Sequence, residues 1–149
     1  MYDLFKFLHV LTAMIWFGSG VGLVALTAMM AKDRAATAAV APHMEAVGKR
    51  LFGPAAGLTL VFGVVTVLVS KGRGIEFQDL WILIGFAGFI LSGVVTMVAN
   101  PATRRLGALV AEKGPDAPEV AAGARKITNL HLLDLLILLV VIAAMVFKP

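Results

Sequence analysis

The chain has 149 residues, 60% of them hydrophobic and only 15% charged, with a net charge of +4 and no cysteine. A soluble domain with so few polar side chains could not cover its surface, since about 25% charged residues is usual. Disulfides, thiolate metal sites and thiol catalysis are excluded outright. The positive charge does not point to nucleic acid, because the basic residues flank apolar runs, where they set membrane orientation and meet anionic lipid.

Four apolar runs, at about 4–31, 51–70, 80–99 and 128–147, are long enough to cross a bilayer, because about 20 residues rising about 1.5 Å each span a ~30 Å hydrocarbon layer. Inside lipid each run must satisfy its own backbone, which predicts helices. None alternates polar and apolar residues as the strands of a membrane barrel do. The expected fold is therefore all-α: a polytopic membrane protein forming one membrane domain over residues 1–149, an antiparallel bundle of four transmembrane helices. The first run opens with DLFKFLHVLTAMIWFGSGVG (Asp3 to Gly22). It is too long for a signal peptide, and further apolar residues follow its glycines instead of a cleavage site.

The connections differ in charge. The first holds Lys32, Arg34, Lys49 and Arg50, and the third holds Arg104, Arg105, Lys113, Arg125 and Lys126. The second has only Lys71 and Arg73, and Lys6 and Lys148 lie near the ends. Counting Lys and Arg alone, the first and third connections are cytoplasmic and both termini lie outside. A bacterial cytoplasmic (inner) membrane is the expected location.

Prolines predict the boundaries. Asn100-Pro101 should end the third helix, because the residue before a proline is pushed out of the helical region. The segment Thr103 to Lys113 then reads as a short amphipathic surface helix. Pro42 and Pro118 suit the first turns of helices leading to the second and fourth spans. Pro54 should bend the second span or thin its hydrogen bonding.

Helices in lipid associate through small residues that let backbones approach. Gly18/Gly22, Gly53/Gly57 and Gly88/Ser92 are the candidate pairs. The fourth helix, with leucine and valine on nearly every side, is expected to face lipid most widely. Beyond the bilayer, the partners to expect are a second copy joined through a glycine face, or a membrane complex.

Polar residues at membrane depth need a reason, since a central Asp costs about 2.5–3.5 kcal/mol on insertion scales. His131 and Asp134, three apart, share a helix face, and with Asn129 and Asn100 they make an intramembrane polar cluster near the inner end. Either this cluster is structural, joined by Arg50 or Arg104, or it relays protons or binds a ligand, with Asp134 fixing the His131 tautomer. His9 either donates to a backbone carbonyl of a neighbouring helix or ligates a cofactor. His9 and His131 differ in depth by about 16 Å at ~1.5 Å per residue, too far to share one iron. Met145 is nearer in depth, so a His9/Met145 axial pair on haem b is the candidate cofactor site. No protein-held metal cluster and no other cofactor is indicated. Trp81 fits the interfacial belt, Trp16 and Phe77 are interfacial or packing aromatics, and His43 is solvated. No nucleophile–base pair, phosphate loop or carboxylate dyad is present.

With these residues placed, a likeness emerges. FKFLHVLTAMIWFGSG resembles the first helix of small bacterial four-helix integral membrane proteins of uncharacterised function. Its His-x6-Trp-x-Gly element is similar to that of the copper-resistance-D domain and of HemJ-type protoporphyrinogen oxidases. The likeness to HemJ covers most of the chain in layout: EAVGKRLFGPAAGLTLVFGVVTVL resembles its second helix and RKITNLHLLDLLILLVVIAAMVFKP its last, with Asn129 kept. The chain departs from HemJ in lacking a lysine early and a histidine late in the third helix. The Asn-Glu-x-Pro before HemJ's last span is here Asn129-Leu130-His131-Leu132. The resemblance implies a four-helix membrane fold, with His9 the haem-ligand position carried over.

The leading expectation is a small inner-membrane protein that binds haem or metal and has a redox or accessory role. The alternatives are a non-enzymatic scaffold subunit of a membrane complex and a small transporter using His131 and Asp134.

Overall fold

The computed structural model describes residues 1–30 and 32–149, the Arg34 side chain excepted. Ala31, the expected end of the first span, lies outside the described residues. All regular structure among the described residues is helical, and four helices are long and apolar enough to cross a membrane.

Helix α1 (Tyr2–Met30) buries Thr12, Trp16, Gly20, Leu23, Thr27 and Met30. Their steps of three and four residues form a narrow packing seam of the coiled-coil type. The threonines in it return their hydroxyls to their own helix, Thr12 to the Leu8 carbonyl at 2.9 Å and Thr27 to that of Leu23 at 2.9 Å. Val10, Met14 and Ile15 point outward, as a lipid-facing flank should.

The second membrane helix starts well ahead of its apolar stretch. Asp33 accepts from Ala35 N at 2.8 Å and so caps α2 (Arg34–Val40), satisfying amides the helix leaves unpaired. Pro42 therefore does not open this helix. It sits in a 3₁₀ turn (Ala41–His43) inside it, followed by α3 (Met44–Val47), a wide π turn (Gly48–Phe52) and α4 (Gly53–Leu68). In the π turn the Gly53 amide reaches back to the Gly48 carbonyl. Pro54, next in line, has no amide to donate, and a loosened turn just ahead of it is the thinning expected of a proline there.

Helix α5 (Leu80–Lys113) passes straight through Pro101, correcting the expected break. The proline costs one backbone hydrogen bond, roughly 3 kcal/mol in a helix interior. Burial of Thr103 and Leu106 beyond it offsets that cost, and the would-be surface helix is the continuation of the third. Gly114, at φ 79°, ends α5. Helix α6 (Pro118–Phe147) begins with Pro118 in its first turn, as the fixed φ of proline favours.

The helices form a row rather than a closed ring: α5 packs on α6, α6 on α1, and α1 on α4. The 41–47 segment reaches α5 at the basic end, whereas α4 and α5 make few direct contacts. Arg73 lies 4.4 Å from the Tyr2 ring and Lys148 5.2 Å from the Trp81 ring, so both termini and the 71–79 loop share one end, here called the terminal end. Of the three glycine pairs expected at interfaces, only Gly88/Ser92 is buried. A Cβ at Gly18, Gly22 or Gly57 would meet nothing within 4 Å. The close approaches use Gly20 against Leu135, Gly63 against His9, and Gly85 and Gly88 against Met145 and Val141. Helix α6 touches two neighbours, yet it leaves Leu132, Leu133, Leu136, Leu139 and Val140 exposed.

Candidate functional site

The buried stripe of α6 runs through Ile127, Asp134 and Leu138, with half-buried His131 between the first two. Two polar residues thus occupy places where the spacing calls for apolar ones. Asp134 is 3% exposed. Ser92 of α5, 1% exposed, is the side-chain hydrogen-bond partner of its carboxyl. The other oxygen, Oδ1, is buried and has no partner among the described residues. A carboxyl group half satisfied at membrane depth is costly.

Asp134 is among the residues that line a cavity of about 300 Å³. Its lining comes from four directions: Leu23 of α1, the Met44–Pro54 stretch around the π turn, Val95, Thr96, Ala99, Asn100 and Thr103 of α5, and His131 and Asp134 of α6. The π turn helps make the space, since its wider radius holds Gly48, Phe52 and Gly53 along one wall. At the rim Lys49 and Glu45 pair at 2.7 Å. A second cavity, lined by Pro42, Arg104, Gly107 and Pro115, shares Glu45 and Thr103 with the first. The polar space therefore adjoins the basic end of the bundle.

Toward the terminal end the bundle is closed by packing. Trp16, 6% exposed, meets Phe52 edge-on at 6.1 Å and Phe89 at 5.9 Å. Val141 fills the notch at Gly88, and the Met145 methyl that at Gly85. With α6 ending at Phe147, Asp134 lies about 20 Å below the terminal face at ~1.5 Å per residue. The Trp16 indole N–H is also buried without a partner among the described residues. Trp16 is thus a core residue rather than an interfacial one.

The residues singled out from sequence are distributed as follows. His131, Asp134 and Asn100 line one cavity. Asn129 is exposed and stands outside that lining, as do Arg50 and Arg104. Among the described residues no hydrogen bond or ion pair joins His131 to Asp134; Ser92 takes that place. His9 is bonded through Nδ1 to the Thr59 carbonyl at 2.8 Å, the structural alternative of its two readings. Gly63 makes this possible: a Cβ there would stand 2.9 Å from His9 Cε1. His9 faces α4 and Met145 faces α5, so the structure does not bring these two together.

Ser92 was visible in the sequence only as a small packing residue, and Lys49 and Glu45 only as loop charges. Nothing local marks them as neighbours of Asp134. The i, i+4 spacing of Glu45 and Lys49 on one helix face was the one available signal.

A family model described as "Predicted integral membrane protein (DUF2269)" matches residues 3–149. Comparison with curated proteins and with solved structures found no match.

Proposed function

The chain belongs to that family of integral membrane proteins, and from its one buried charged side chain among the described residues we propose that it binds a small polar solute, as a small transporter or solute-binding subunit. The observation that carries this reading is Asp134: it is among the residues lining a cavity, and its Oδ1 is buried without a hydrogen-bond partner among the described residues. A purely structural carboxyl would be expected to have both oxygens satisfied. The bias of basic residues puts the open end of the cavity on the cytoplasmic side, so the solute enters from there, while the Trp16–Phe52–Phe89 packing closes the opposite side.

The chain has no cysteine, which makes the test direct. Thr96→Cys places a near-isosteric thiol on the cavity wall. Membrane-impermeant thiosulfonates, cationic and anionic, should label it from the basic side of oriented vesicles and not from the terminal side. Ile90→Cys, on the lipid-facing surface at 63% exposure, should stay unlabelled. A Thr96→Cys protein inert from both sides would remove the reading.

A second reading keeps haem b on His9, in line with the likeness to HemJ-type and copper-resistance-D proteins. In its favour, the bond from Nδ1 to the Thr59 carbonyl is the outer-shell arrangement that fixes a ligating imidazole with its Nε2 lone pair available. Met145, packed on Gly85, is not placed to supply the second axial ligand. This reading expects a Soret band in protein purified from haem-supplemented cells, lost in His9→Ala. A colourless wild-type preparation would end it.

A further inference from the structure

Building on the solute-binding reading, we propose that the cavity selects a small organic cation, an amine or alkylammonium, which exchanges with a proton on Asp134. The first argument is charge. Among the described residues, three side chains with formal charge line the cavity: Glu45, Lys49 and Asp134. Glu45 and Lys49 neutralise each other at the rim, and Arg104 adds its field to Glu45 from α5. Among the described residues Asp134 is left without a counterion. His131, one turn away on the same helix, is the remaining titratable group in the lining, and it makes no bond to Asp134. The lining residues of α1 and α5 are uncharged.

The second argument is hydrogen bonding. Ser92 serves one side of the carboxyl, and the free Oδ1 is acceptor-only when ionised, so the ligand must donate. The third is shape and surface. Leu23, Phe52 and Val95 give the cavity an apolar flank, and the Phe52 ring, backed by Trp16, is a surface on which an ammonium is attracted. An anion would meet an uncompensated carboxylate. A neutral alcohol would fill the hydrogen bond and leave the charge unmatched. At about 300 Å³ the cavity is at the small end of ligand sites.

A carboxyl in this setting carries either a proton or a cation, because an isolated charge at membrane depth is too costly to persist. The exchange balances: the ammonium enters with its charge, the Asp134 O–H bond breaks, the ion pair forms, and one proton leaves through the basic end to bulk water. No covalent bond to the amine forms.

The test is calorimetry on the purified full chain in lipid nanodiscs with three probes of one size, benzylammonium, benzyl alcohol and benzoate. Benzylammonium should bind at least tenfold more tightly than either of the others. Titration in buffers of different ionisation heat should count up to one proton released per amine, with affinity rising as pH rises through the range in which protons are released. Asp134→Asn should lose at least tenfold in amine affinity and all proton release, while keeping the Thr96→Cys labelling pattern that shows the cavity intact. Should that variant fail to fold, the three-probe comparison on the wild-type chain still decides. Equal binding of benzyl alcohol, preference for benzoate, or no binding of any probe would overturn the proposal. In each case a labelled Thr96→Cys would leave the cavity reading standing, whereas an unlabelled one would remove both.

Discussion

Asp134→Leu is expected to make the bundle more stable and to abolish ligand binding. The carboxyl is buried with one oxygen unpaired, and replacing such a group by an apolar one in a packed setting is neutral or stabilising, here by about 1–3 kcal/mol. The larger leucine has the adjoining cavity to extend into. Ser92, left behind, can return its hydroxyl to a carbonyl of its own helix, as Thr103 does to Ala99 at 3.0 Å. Thermal unfolding of detergent-solubilised protein should show a midpoint several degrees higher. Proteins commonly accept such a loss of stability only where function requires it. A drop of more than about 1 kcal/mol would instead mean that the carboxyl holds the helices together, and the site would lose its main support.

The second large effect concerns α5 against α6. Gly88→Ala should destabilise by about 2 kcal/mol or more, and Gly85→Ala by much less. Both glycines sit under a side chain of α6, with a Cβ at Gly88 landing 2.1 Å from Val141 Cγ2 and one at Gly85 landing 2.4 Å from Met145 Cε. The difference lies in the partner. Valine is β-branched and held at χ1, whereas the methionine terminus swings aside on three rotatable bonds. Adding Val141→Ala to Gly88→Ala should recover much of the loss, as a thermal-unfolding double-mutant cycle would show. Equal losses at the two glycines would mean that the two helices are held rigidly along their whole contact.

Depth was legible in the sequence, and azimuth was not. Run lengths gave four spans because hydrocarbon thickness sets helix length. The cost of polar groups in lipid marked Asp134, His131 and Asn100 without any knowledge of packing. Which way a residue points around its helix depends on neighbours that no local pattern names. Hence depth alone brings Met145 close to His9, although the two face different helices. Gly18 and Gly22 looked like an interface, while Gly20 and Gly63 are where contact occurs. Ser92 became Asp134's partner through a pairing of helices far apart in sequence. Pro101 failed as a stop signal for a related reason, since a local steric preference of a few kcal/mol yields when residues on both sides are packed.

The row arrangement of the helices has its own consequence for how occupancy is set. Because α4 and α5 do not close on each other beyond the contact of the 41–47 segment with α5 at the basic end, an amphiphilic solute of the kind proposed would have a route along that seam from the leaflet, beside the one from water. Its driving concentration is then its mole fraction among lipids. At a fixed aqueous dose, diluting the protein into more bilayer would change how much of it is filled, and an affinity written per litre of buffer would describe the membrane as much as the protein.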